Sequence, residues 1–358
     1  MSLDVRDPLG VHARTRRNAA VVVALAVLTV LSALAGTAFG AVTVAPGDVL
    51  GIVGHALLDR PAGGTWPPQH EAIVWAVRVP RVVLGLAVGA GLAVCGAALQ
   101  AMVRNVLADP YVLGVNSGAS CGAAAAILFG VAAGLGEHAL SGSAFVGALA
   151  ASVLVFTVAR AAGAVTSVRL LLAGVAVGYA LSAATSFLIF ASGSAEGARS
   201  VMFWLLGSLS LATWGSALAV VVVVVAATVL VLLWWSPGLD ALAIGDETAR
   251  TLGVSPAGFR TRLLLVVSLA VGVLVAAGGS IGFVGLVVPH LARRLVGAAH
   301  RWVVPVSALL GACLLLWADL LARTVMQPQE LPIGIVTALV GAPFLLHLVR
   351  TQYSTTRS

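Results

Sequence analysis

The chain contains no lysine: all twenty of its basic residues are arginine. Charge of either sign is scarce, at 9% of 358 residues, where a soluble domain carries about 25%. Apolar residues take the place of charge, and 60% of the chain is hydrophobic. No soluble core buries that much apolar surface, so the composition excludes a water-soluble globular protein and implies an all-α, polytopic membrane protein. The apolar runs are continuous rather than alternating, which argues against a β-barrel. The net charge of +7 then calls for no nucleic-acid partner, because loop arginine in a membrane protein is first a matter of topology. Cys95, Cys121 and Cys313 stand singly inside apolar runs and read as small packing residues. The sequence has no Walker A loop, no His/Cys/Glu metal cluster and no series of membrane-embedded acids.

A membrane span needs about 20 apolar residues. Ten stretches qualify: 18–40, 81–102, 112–133, 141–161, 168–190, 213–235, 261–279, 282–296, 302–323 and 333–350. They place a transmembrane domain at 18–350 between tails at 1–17 and 351–358. Arg14, Arg16 and Arg17 before the first run imitate a signal peptide, but the run is span-length and lacks a small-residue cleavage site. The eighth stretch is short and holds Gly282, Gly285 and Pro289, which predicts a broken or partial crossing. With the N-terminus inside, only Arg60, Arg78, Arg81, Arg199 and Arg323 face outward and the other fifteen arginines face the cytoplasm. That bias puts both termini and residues 240–262 in the cytoplasm. The outer segment 43–80, with Pro46, Pro61, Pro67 and Pro68, reads as a surface-lying loop anchored at the interface by Trp66 and Trp75. A short extra helix is expected near Met202–Leu206. Gly85-x3-Gly89 and Gly118-x3-Gly122 predict close helix contacts.

Three polar features interrupt this pattern. Residues 240–262 form a polar segment between apolar runs, with Asp246, Glu247 and Arg250 on a short helix closed by Gly253 and Pro256; by itself it is no more than a connecting loop. Asp319 is an intramembrane carboxylate, a functional candidate by default. Arg323 lies four residues on, so a helical ion pair is expected ahead of a proton relay. His290, alone after Pro289, reads as a packing residue rather than a metal ligand.

Five stretches occur together in order: Arg78-Val-Pro-Arg81; Gly96 through Gln100, Arg104-Asn105 and Asp109-Pro110 to Gly118; Gly245-Asp-Glu-Thr-Ala-Arg-Thr-Leu-Gly253; Gly278 through Gly285 and Pro289-His290 to Arg293; and Glu330-Leu-Pro332 through Gly341 to Pro343. From about residue 78 to 350 the chain closely resembles the FecCD family, the permeases of ATP-binding-cassette importers for iron–siderophores, haem and cobalamin. Val106 departs from it, standing where the family usually has proline. The resemblance implies a homodimeric type II importer permease fold of about ten helices, with the pathway on the two-fold axis. It also implies two cytoplasmic ATPase subunits and an extracytoplasmic binding protein. The chain would bind no cofactor of its own and no metal, with ATP and Mg held by the partners.

The resemblance also implies roles. Gly245, Asp246, Glu247, Thr248, Arg250, Leu252 and Gly253 would form the segment that couples to the ATPase, with Leu252 and Val254 filling its groove. Arg78, Arg81 and Arg323 would receive glutamates of the binding protein, for which arginine's planar fork is suited; anchoring to lipid headgroups is the alternative. Asn105 and Leu107 would form an inner gate, with Thr166 and Ser167 beside it, although Asp109-Pro110 alone explains a turn there. The expected function is import of an iron–siderophore across the bacterial cytoplasmic membrane by alternating access, with haem and cobalamin as alternatives. Against an ion-coupled secondary transporter stands the lack of several membrane-embedded acids, and against a channel stands the coupling-type segment.

Overall fold

Apolar runs in a hydrocarbon slab must satisfy their own backbone, which only helices or closed barrels do. The computed structural model is helical throughout, with no strand among the described residues, which are 10–40, 42–58, 66–161 and 166–354. Arg6, Arg60 and Arg357 of the side-by-side arginine count lie outside them.

The helices are α1 (Val11–Ala38), α2 (Pro46–Leu58), α3 (Pro68–Val103), α4 (Val115–Phe129), α5 (Ala139–Ala161), α6 (Ser167–Ser192), α7 (Ala195–Leu205), α8 (Ser216–Trp234), α9 (Ser236–Ile244), α10 (Asp246–Thr251), α11 (Pro256–Gly278), α12 (Val284–Val296), α13 (His300–Thr324) and α14 (Ile333–Ser354). Seven are long and apolar enough to cross a membrane: α1, α3, α5 with its 3-10 lead-in, α6, α8, α11 and α13. The third and tenth expected spans fall on shorter apolar helices, α4 and the part of α14 up to Leu348, and the eighth forms the 13-residue α12. The helix expected near Met202–Leu206 is α7.

Helix α3 is the hub. Almost every residue from Pro80 to Val103 is buried, with α8, α11, α12 and α13 packed around it. Small residues permit this closeness. Gly118 and Gly122 set α4 against the carbonyls of Gly147 and Ser143 on α5, where a Cβ would overlap the backbone.

The outer segment differs from its sequence reading. The described residues of 43–80 are not a surface-lying loop: they hold α2 and the first turns of α3, which pass through a π-helical stretch at Ala72–Arg78. Its prolines misled, because Pro46 and Pro68 stand in first turns, where the missing N–H has no partner to lose. Trp66 is buried among Val49, Ile52 and Val74.

Between α11 and α12 the backbone leaves the helix at 279–283, with Gly279 and Phe283 both left-handed. The backbone groups of Ile281 within it are satisfied internally. The Tyr111 hydroxyl accepts from the Ile281 amide and donates to the Ile281 carbonyl, both at 3.0 Å.

Candidate coupling and gating site

Since α3 runs the length of the bundle, Arg78 and Arg81 near its start lie at one end and Arg104 at the other. At the first end, the three arginines are buried and donate within the chain. Arg78 donates to the carbonyls of Thr37 and Ala38 at 2.9 Å each and to that of Val42. It thereby closes the C-terminus of α1, whose last carbonyls have no helical partner. Arg323 adds a bond to the Gly36 carbonyl at 2.5 Å. Arg81 reaches Asp319 through Nε at 2.9 Å and grips both oxygens of Glu330 at 3.0 and 2.9 Å. Asp319 also pairs with Arg323 at 3.3 Å, the expected helical pair, and is 1% exposed. Glu330, with a side chain 45% exposed, is the outward-facing member of the cluster.

At the second end, the polar segment splits into α9 and α10. Glycines bound α10: Gly245 precedes it and Gly253, with φ 78, follows it. Pro256 starts α11. Helix α10 turns Ala249 inward and Glu247 and Arg250 outward, and Leu252 just past its end is 64% exposed. Val254 lies partly buried against the core instead. Asp246 turns inward. Arg260, 2% exposed on α11, donates to its two oxygens at 2.9 and 2.7 Å. These bonds hold the Asp246 carboxyl below the usual carboxylate range. Arg104 stands 3.8 Å from the same carboxylate. On α9, Asp240 accepts from the His300 amide at 2.8 Å and pairs with its ring at 2.6 Å, tying α9 to the start of α13.

The gate candidates lie beside this network. Arg104 ends α3 in the left-handed region, φ 54. Asn105 is exposed, and its Oδ1 accepts from the Leu107 amide at 2.9 Å, closing a tight turn. Thr166 caps α6 by accepting from the Arg169 amide at 3.4 Å. Ser167 is buried and donates to the Met102 carbonyl at 3.1 Å. The same carbonyl accepts from Nε of Arg260 at 3.2 Å. Asp109 accepts from the Tyr111 amide at 2.9 Å, and burial pushes its carboxyl up to about 6.

Two residues central here were not singled out from the sequence. Arg260 counted only as one cytoplasmic arginine. A cation near the start of a helix works against the helix dipole, and that was the available sign that it needs a carboxylate. Gln100 donates to the carbonyls of Ala108, Gly285 and Leu286 and accepts from Arg293, so it joins α3, the turn after it and α12. His290 packs edge-on against Phe344 of α14, with ring centroids 5.9 Å apart. No group of three His, Cys, Asp or Glu suited to a metal occurs among the described residues. A cavity of about 910 Å³ opens beside Glu330, walled by Phe145, Phe203 and Trp204, and none of the gate candidates lines it.

A model of the FecCD transport family matches residues 21–351. The chain belongs to the FecCD transport family. Among its curated relatives are the Fe(3+)-citrate import system permease protein YfmD of Bacillus subtilis, 40% identical over 79% of this chain and 82% of that protein, and the hemin transport system permease protein HmuU of Yersinia pestis, 42% identical over 80% and 87%. A third is the cobalamin import system permease protein BtuC of Halobacterium salinarum, 42% identical over 80% and 75%. A chain solved as an inward-facing conformation of an ABC transporter, one assigned to the metal-chelate type, superposes with a TM-score of 0.80 at 32% identity, over 92% of this chain and 98% of that one. This FecCD chain is thus a multi-pass permease, the transport subunit of an ABC importer family whose members differ in cargo.

Proposed function

We propose that this permease moves an iron–siderophore complex across the bacterial cytoplasmic membrane as a homodimer, driven by two cytoplasmic ATPase subunits and supplied by an extracytoplasmic binding protein. The observation that carries the reading is α10: a helix of six residues that shows Glu247 and Arg250 to the outside, with Leu252 exposed just past its end, while Asp246 clamps it to the bundle. A helix held on one face and charged on the other is built to seat in a partner and pass on its motion as a rigid body. ATP and Mg belong to the partners. In this reading Asn105, Leu107, Thr166 and Ser167 close the inner end of the pathway, and the Arg81–Glu330 end faces the binding protein. A carboxylate of the binding protein reaches Arg81 by displacing the half-exposed Glu330; Arg78 and Arg323 act beneath, holding the end of α1.

Iron–siderophore heads the cargo reading because the Fe(3+)-citrate relative and the metal-chelate structure both name chelated metal; haem and cobalamin are the alternatives. Whole-cell uptake of labelled ferric siderophores, ferric citrate, haem and cobalamin tests it, comparing cells with and without this chain and before and after ATP depletion. Loss confined to the ferric chelates and dependent on ATP is expected. Loss of haem or cobalamin uptake instead reassigns the cargo, and uptake that ignores ATP but collapses with the ion gradient overturns the importer reading.

A further inference from the structure

We infer that Arg260 is a positioning residue that carries displacement of α10 to both gate elements at once. The inference rests on the coupling role proposed for α10. One guanidinium uses its three bonds on two different elements. Its fork holds both oxygens of Asp246 on α10, and its Nε holds the Met102 carbonyl in the last turn of α3. That carbonyl is also the acceptor for Ser167 at the start of α6. Met102 lies two residues before Arg104, where the backbone turns left-handed and α3 ends. Through one side chain, then, the outward-facing helix is joined to the Asn105–Leu107 turn and to the Thr166–Ser167 entry.

Two properties suit Arg260 to this. Its planar fork admits little play against a carboxylate. Its burial leaves the pair little screened by salt. Arg104 stands 3.8 Å from Asp246 on a half-exposed side chain and offers only a looser parallel path.

The test uses the full complex that co-purifies with its ATPase, in proteoliposomes. A background lacking Cys95, Cys121 and Cys313 carries Leu107→Cys as a reporter. The readout is its labelling rate by a membrane-impermeant maleimide, with and without ATP plus vanadate. With Arg260 intact, nucleotide is expected to change the rate by about 5-fold or more, the lower range of allosteric coupling. Arg260→Gln and Asp246→Asn are expected to abolish most of that change while the ATPase stays bound at the same stoichiometry. Arg260→Lys, which keeps the charge but cannot span both acceptors, is expected to fall between. Arg301→Gln, a cytoplasmic-end arginine outside the network, serves as control and keeps the full response. A full response in Arg260→Gln overturns the inference. So does loss of the bound ATPase in that variant, since Arg260 would then merely fold α10. Failure of the unmutated reporter chain to bind an ATPase or respond to nucleotide overturns the coupling role of α10 itself.

Discussion

Buried arginine is costly in an apolar bundle, so each buried guanidinium needs a defined partner. Arg78 and Arg323 find theirs in the free carbonyls at the end of α1, Arg81 in Asp319 and Glu330, and Arg260 in Asp246. Removing one member of such a buried pair typically costs on the order of 3 kcal/mol, because the other charge is left behind. Asp109 is the opposite case: a carboxyl pushed up to about 6 by burial, whose useful work is to cap the Tyr111 amide. The folded state holds its proton more tightly than the unfolded one. Stability from this site therefore falls as pH rises from about 4 to about 6. Asparagine offers the same cap without the charge. In thermal unfolding of the purified protein, Asp109→Asn is expected to match the parent at pH 4 and to exceed it by about 2–4 °C at pH 7. A gap that does not grow with pH refutes this account.

At the scale of the helix, glycine decides which faces meet. An exposed helical glycine replaced by alanine normally gains about 0.5–1 kcal/mol. Gly142 on α5 has room for a Cβ, with only an ordinary contact to Leu135. Gly118 on α4 does not, because its Cβ would overlap the Gly147 carbonyl, a backbone atom that cannot step aside. Gly142→Ala is expected to raise the unfolding temperature and Gly118→Ala to lower it, by about 1–3 kcal/mol of overpacking. Equal effects at the two positions would mean that α4 and α5 do not pack as described. The extended α3 follows the same logic of local chemistry: Pro68 starts it where no amide is missed, and the π-helical turns at Ala72–Arg78 deliver Arg78 to α1.

For the whole molecule, the two ends of α3 divide the work. One end gathers Arg81, Asp319 and Glu330; the other gathers Asp246, Arg260 and the carbonyl of Met102. If the binding protein docks at the first end by displacing Glu330 from Arg81, then Glu330→Gln should ease that exchange. The variant keeps the side chain's shape and leaves the buried Arg81–Asp319 pair untouched. Its affinity for the binding protein, measured by surface plasmon resonance on detergent-solubilised permease, is expected to rise by about 5-fold, roughly 1 kcal/mol. Unchanged or weaker binding would remove Arg81 from the docking site.

Composition and run length were enough to determine the class of this protein, because apolar surface on this scale admits only a bilayer as solvent. Motif order carried the family, and the polar break at 240–262 marked α10. The i, i+4 spacing of Asp319 and Arg323 foretold their pair, since helical geometry makes four residues one turn. What only the tertiary structure decided was long-range pairing. Arg81 meets Glu330 across 249 positions and Arg260 meets the Met102 carbonyl across 158. No local period encodes such contacts; they follow from which helix faces pack, and from the need of every buried charge for a partner that only the folded bundle brings near.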